Sequence, residues 1–460
     1  MADLVRIGNG QGFWGDSVDA PYELATGGPL DYLTLDYLAE VTMSIMQRQK
    51  RRNPQQGYAR DFVELLHRVL PVCRERGIKI IANAGGVNPE ACLEACREVV
   101  TGLGLRGIRF GLVTGDDILH RLPDLLAKGE ALANMDTGEP LAGVLHQVVS
   151  ANVYLDTFAI AEALDGGADI VITGRCTDPG LVLGPLIHEF GWGREEWDFL
   201  ATGTVAGHIL ECGAQATGGI FSRWQEVPDL ANIGYPIAEV SPEGQVTITK
   251  HEGTGGLVSV DTVTEQLVYE LGDPRQFITP DVVVDFTSIQ LQQEGPDRVR
   301  VSGVRGSPAT DTYKVSINTA RGWKASGQLT ISGPEARAKA EMVAEIIWSR
   351  LSSAGFEFDE TSTEIMGGHQ SGTTTSKGAG GNGKTAQERV ASLVLMLGVR
   401  DGNRAKVERF GKELAPVISN GPPGITGFAG GRPKPREVIA FWPALISKQQ
   451  VQAQVVVTGL

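Results

Sequence analysis

The strongest constraint on this chain is a rhythm in its first 180 residues, where short apolar runs alternate with helical stretches. Each run ends in a loop of glycine, asparagine or aspartate. Residues 4–7 lead into Gly8-Asn9-Gly10-Gln11-Gly12, residues 32–35 into a helix expected over 39–50, and a helix over 58–76 precedes the run 79–83. Asn88-Pro89 then opens a further helix, with proline at its first position. Residues 107–114 end in Gly115-Asp116-Asp117, and 169–173 in Gly174-Arg175-Cys176-Thr177-Asp178-Pro179, with 148–154 as a strand between them. Such alternation predicts an α/β fold, a mostly parallel, doubly wound sheet with helices on both faces. Ligands of such sheets bind beyond the carboxyl ends of the strands, where these loops fall.

The rhythm changes near Pro236. Residues 1–235 are expected to form a Rossmann- or flavodoxin-like domain, and 236–366, richer in β-branched alternation, a second α+β domain. Residues 367–384 read as a Gly/Ser/Thr loop, and 385–460 as C-terminal helices with a Gly/Pro tail packing back on the core.

Charge and cysteine content narrow the function classes. Lys and Arg number 41 against 55 Asp and Glu, a net charge of −14, which argues against nucleic-acid partners and a polybasic membrane contact. The five cysteines form no CxxC pair, no cationic and apolar leader opens the chain, and no run of eighteen apolar residues exists. These features fit a reduced, cytoplasmic protein. Glycine, at 59 residues, is abundant enough to imply many tight turns and close backbone approaches.

Several residue groups could carry chemistry. Gly10 and Gly12 lack the GxGxxG spacing of a dinucleotide loop and are read as a turn presenting Asp16. Asn83, with Gly85 after it, and Asn152 end strands and could orient a substrate carbonyl. Arg175 and Asp178 close the last strand of the first half, where Asp178 is equally suited to cap the helix after Pro179. Asp116 and Asp117 read as helix caps. His208 and Cys212, at i and i+4, share a helix face and could form a nucleophilic couple or part of a zinc site. Cys212 precedes Gly213 at a helix C-terminus, where the dipole disfavours a thiolate. His251 and Glu252, on a loop with Gly253 and Gly255, could exchange protons and hold an anion. The second domain is expected to close the cleft with this loop. No metal ligands are assigned, and the cofactor is left open.

Taken with their order and spacing, the strings RIGNGQGFWGD, IANAGGVNP, VTGDD, SANVYL, ADIVITGRCTDPGLVLGPLIHEFGW, GHILECGAQATGG and ITKHEGTGGLVSVDTVTEQLVYEL resemble the acyclic terpene utilization AtuA-like family. The resemblance implies a place in catabolism of branched or terpenoid carboxylates through CoA thioesters, at a lyase or hydration step. Asp16, Asp178, His208 and His251 would then supply acid and base, and Asn83, Arg175 and the 253–256 backbone would hold an oxyanion. The alternatives are an ester or thioester hydrolase using Cys212 with His208 or a metal-bound water, and a non-catalytic metabolite-binding or scaffold subunit. A small-molecule substrate, a CoA thioester among the candidates, and a homo-oligomer are expected. Longer members carry a further small C-terminal domain, so a separate small protein is an expected partner. Asp156-Thr157-Phe158 departs from the smaller residues associated with that segment, which bears on substrate choice.

A Walker-like string, Gly378 to Thr385, follows His369-Gln370-Ser371-Gly372, which cannot form the buried strand that aims a phosphate loop. The loop is therefore expected not to bind nucleotide. Lys384→Ala should change nothing in calorimetric titrations with Mg-ATP or Mg-GTP, and micromolar binding abolished by this substitution would overturn the reading.

Overall fold

The computed structural model describes residues 3–367, 392–427 and 430–460. It divides into two units, one of residues 1–319 with 441–460 and one of residues 320–440.

In the first unit the elements run β1 (Val5–Gln11), α1 (Ala20–Gly27), β2 (Tyr32–Leu35), α2 (Thr42–Arg52), α3 (Arg60–Arg76), β3 (Lys79–Ala82), α4 (Pro89–Gly102) and β4 (Arg109–Thr114). Then follow α5 (Leu122–Ala127), β5 (Val148–Val153), α6 (Phe158–Asp165), β6 (Ile170–Thr173), α7 (Gly180–Phe190), α8 (Trp197–Leu210), β7 (Pro236–Val240) and β8 (Val246–Lys250). A parallel block in the order β1-β2-β3-β6-β4 forms the centre of a ten-stranded sheet. Side chains of this block alternate between two apolar layers, as the two-residue period of a strand dictates. Ile80, Ala82, Ile170 and Ile172 pack with Phe62, Leu66, Cys92 and Cys96 of α3 and α4. Ile81 and Val171 pack with Ile160, Leu183, Val205 and Leu210 of α6, α7 and α8.

The expected α/β class is present, but the sheet is not mostly parallel. Four of its pairings are parallel and five antiparallel, because β7, β8, Arg298–Ser302 and Gln290–Gly295 extend it beyond β1, and Gln454–Gly459 extends it beyond β4. The strands after Pro236 therefore continue the first sheet and do not begin a separate domain at 236. β-branched alternation is the same whether a strand joins an old sheet or starts a new one. β5 leaves this sheet and pairs antiparallel with residues 315–319 of the long strand Thr312–Ser332.

In the second unit, residues 323–332 of that strand pair with Ser392–Asp401, which pairs in turn with Glu360–Met366. Helix Ala336–Ser353 covers the apolar face through Val343 and Ile347, and Arg404–Gly411 through Phe410. A helix was expected over 386–398, but residues 392–401 are a strand whose inward positions are Leu393, Leu395, Leu397 and Val399. The Gly/Ser/Thr loop of 367–384 falls, after Gly367, outside the described residues, as does the Walker-like string. No helix among the described residues is long and apolar enough to cross a membrane.

One contact sets the start of α7 against α8. A Cβ on Gly207 would lie 2.6 Å from Pro179 Cα and closer still to Pro179 O. Only glycine lets α8 approach the loop that carries Asp178. Gly207→Ala improves intrinsic helix propensity, yet it should destabilise the protein by about 1–3 kcal/mol through overpacking, read by chemical denaturation.

Candidate active site

β3 and β6 are neighbours in the sheet, yet α4 after β3 and α7 after β6 pack into opposite layers. This is the arrangement of a switch point, and α/β sheets bind ligands beyond the carboxyl ends of the strands at such points. Two bridges bring β5 to the same edge, Asp117 with Asn152 and Leu155 with Cys176.

Arg175, 1% exposed, lies at this edge. Its Nη1 donates to Leu38 O at 2.8 Å, and Nη2 donates to Asp178 Oδ2 at 2.9 Å. The guanidinium carbon stands 4.2 Å from the centre of the Tyr154 ring. Asp178 therefore faces the arginine and does not cap α7, whose first turn closes through Gly180 N donating to Thr177 O. Asp36, at the end of β2, accepts from Asn83 Nδ2 at 2.6 Å, while Asn83 Oδ1 accepts from Tyr37 N at 2.7 Å. Asp116 Oδ2 accepts from Asn152 Nδ2 at 2.8 Å and from Arg175 N at 2.9 Å. A Cβ on Gly174 would collide with that carboxyl, so glycine is required there. Gly85 N donates to Thr173 O at 3.0 Å and ties the β3 loop to the end of β6.

Two acids at this edge reach solvent. Asp178 keeps about a third of its side chain exposed, and Glu40 about two-fifths. Tyr154 Oη donates to Glu40 Oε1 at 3.2 Å, and Lys314 Nζ stands 3.9 Å from the same oxygen. Burial opposes ionisation of Glu40, but its own backbone N–H, Arg175, Lys314 and Tyr154 outweigh it and hold the carboxyl below its ordinary range. Asp178 moves the other way. Its burial, with Glu40 adding to it, exceeds the pull of Arg175 and raises its pKa. Burial and the charge of Asp178 likewise push Asp36 well up.

The structure thus brings Asn83, Gly85, Asn152, Arg175 and Asp178 together. Asp16 instead clamps its own loop. Its carboxylate accepts from Gly12 N at 2.9 Å, Ser17 N at 2.7 Å and Tyr235 Oη at 2.6 Å. Gly12 is needed for packing, since a Cβ there would lie 2.6 Å from the Cys212 carbonyl carbon, and one on Gly10 would lie 2.9 Å from Pro21 Cα.

His208 and Cys212 do not form a couple. His208 Nδ1 meets Glu211 Oε1 at 3.0 Å and Nε2 meets Leu267 O at 3.3 Å, so both nitrogens are engaged. Burial pushes the Cys212 thiol up to about 12, with Glu211 adding to it. No group of three metal-binding side chains occurs among the described residues.

His251 and Glu252 line a separate cavity of about 270 Å³ with Tyr235, Glu23 and Leu24. His251 Nε2 meets Leu24 O at 3.0 Å over α1, and its ring packs against Gly27 and Gly28. Among the described residues no hydrogen bond or ion pair joins this cavity to the Arg175 network, and the loop belongs to the first unit, so the expected closure by a second domain is not what the fold provides. Gly253 is exposed with φ 79°, and Gly255 N donates to Asn232 O at 2.6 Å, so Gly255 serves the loop itself.

Sequence reasoning missed Asp36, Glu40, Tyr154 and Lys314, and read Asp116 as a cap. Asp36 carried the same signal as Asn83, a polar residue directly after an apolar run. Glu40 was hidden because the helix was expected from 39, whereas α2 begins at Thr42. Lys314 enters only through the pairing of its strand with β5.

Asp116 gives this network a pH signature. Burial raises its pKa from 3.8 to about 7, so between those values the native state binds more protons than the unfolded chain. Its contribution to stability is fully present below the unfolded value and is lost as pH rises through the folded one. Asp116→Asn, which keeps an oxygen acceptor but cannot ionise, should gain about 4 kcal/mol relative to wild type between pH 4 and pH 8, measured by denaturant unfolding at each pH.

Comparison with curated proteins and with solved structures returns no match. The profile described as acyclic terpene utilisation family protein AtuA matches residues 5–457, nearly the whole chain. With that coverage, the chain belongs to the acyclic terpene utilisation AtuA family.

Proposed function

We propose that this chain is a lyase or hydratase of branched or terpenoid carboxylate catabolism, acting by acid–base chemistry at the strand edge around Arg175. The observation that carries the reading is geometric, two partly exposed carboxyls near Arg175, Glu40 beside Lys314 and Tyr154 and Asp178 on the guanidinium, with proton affinities pushed in opposite directions. Such a split assigns roles, with the ionised group as base and the protonated group as acid. For a β-hydroxy acyl substrate, Glu40 takes the proton next to the carbonyl. Asp178 gives its proton to the leaving hydroxyl, the C–O bond breaks, a C=C bond forms and water departs. Lys314 and Tyr154 stand beside Glu40, where negative charge on the carbonyl oxygen would be held. The family name supports acyclic terpenoids as the substrate class. Hydrolysis through Cys212 finds less support, since its thiol is held protonated and His208 is committed elsewhere.

The test is turnover of a panel of branched β-hydroxy and α,β-unsaturated acyl thioesters and free acids by the purified chain. One should be converted, with a bell-shaped pH profile whose acid limb belongs to Glu40 and alkaline limb to Asp178. Glu40→Gln and Asp178→Asn should each lower kcat by roughly a hundredfold or more, with circular dichroism at the assay temperature showing that each variant is folded. Full activity in either variant would overturn the assignment.

A further inference from the structure

The second unit carries a groove of about 1260 Å³ that the chemistry above leaves unused. Its charge sets it apart. Residues 320–440 hold 16 Lys and Arg against 12 Asp and Glu, a net +4, while the rest of the chain carries −18. Lys324, Arg432, Lys434 and Arg436 all line the groove, and none has an ion-pair partner among the described residues. Arg400, in the same groove, is neutralised by Glu360 at 2.7 Å.

The string Arg432-Pro433-Lys434-Pro435-Arg436 explains how the cations are presented. Each proline fixes its own φ and bars its predecessor from the helical region, so the segment is extended. Exposure follows the two-residue period, with Arg432, Lys434 and Arg436 exposed and Pro433 and Pro435 half-buried. Three cations therefore share one face at intervals of about 6.6 Å. The row is anchored. A Cβ on Gly327 would lie 2.8 Å from Pro433 Cγ, and one on Gly411 would collide with Pro433 O, so two glycines make the seat for this proline. Leu414 and Ile418 add an apolar wall. Like charges held together in this way repel one another until an anion joins them, and guanidinium groups match phosphate oxygens in pairs.

We propose that this groove binds a soluble organic phosphate, with its anionic groups on Arg432, Lys434 and Arg436 and its apolar part against Leu414 and Ile418. The volume exceeds the roughly 300–1,000 Å³ of common ligand pockets, which suits a ligand larger than a single phosphate ion. The −18 on the remainder of the chain opposes a long polyanion or an anionic membrane, and this favours a small ligand.

Calorimetric titration of the full chain with ADP, free of magnesium, tests the site at low and at physiological ionic strength. Binding is expected under both conditions. The double variant Arg432→Glu/Lys434→Glu should weaken it by roughly tenfold or more, with unchanged circular dichroism and Tm because both side chains are exposed. Lys384→Ala should leave it unaltered. The proposal is overturned if ADP gives no binding at physiological ionic strength, if the double variant binds equally well, or if only phosphatidylglycerol vesicles are retained. These readouts do not depend on turnover, so they stand or fall apart from the acid–base assignment at Glu40 and Asp178.

Discussion

The buried guanidinium of Arg175 holds the carboxyl edge of the first unit together. It joins the end of β6 to the backbone after β2 through Leu38 O, and to its own loop through Asp178. It also lies on the Tyr154 ring that follows β5. Burial opposes its charge, and the adjacent Asp178 carboxyl is the largest influence acting the other way. Breaking a buried pair by removing one partner costs about 3–5 kcal/mol, because the other charge is left without compensation. Here the uncompensated charges would be carboxylates already raised by burial and by each other.

The same arrangement divides the acids into kinds. Asp36 and Asp116 are sealed in and bonded to asparagine amides, so desolvation favours their neutral forms. Glu40 reaches solvent beside Lys314 and Tyr154, and its charged form is favoured. Asp178 lies between these extremes, paired with the arginine and partly exposed to solvent. An acid and a base can therefore coexist a short distance apart, without metal or histidine in the scheme proposed here.

The glycines show how strictly this edge is packed. Gly174 leaves room for the Asp116 carboxyl, Gly85 for the end of β6, and Gly207 for the approach of α8 to Pro179. Each is a close approach between backbone and a neighbouring group. The loops that looked like ligand cradles in sequence are in several places fitted to each other instead, as Gly12 is to Cys212.

The chain's own residues determined the central strands, the loops at their carboxyl ends and the placement of Asn83, Asn152, Arg175 and Asp178 at those ends, because period, turn chemistry and strand ends are local properties. Local order could not say which strands pair. Tertiary structure alone decided that β7 lies antiparallel beside β1, that β5 leaves the sheet for residues 315–319, and that Lys314 thereby reaches Glu40. It also decided that His208 turns to Glu211 and His251 to α1. These outcomes depend on burial and on partners far away in the chain. A histidine or carboxylate becomes acid, base or plain structural support only when its desolvation and its neighbours' charges are fixed, and those are set by the fold as a whole.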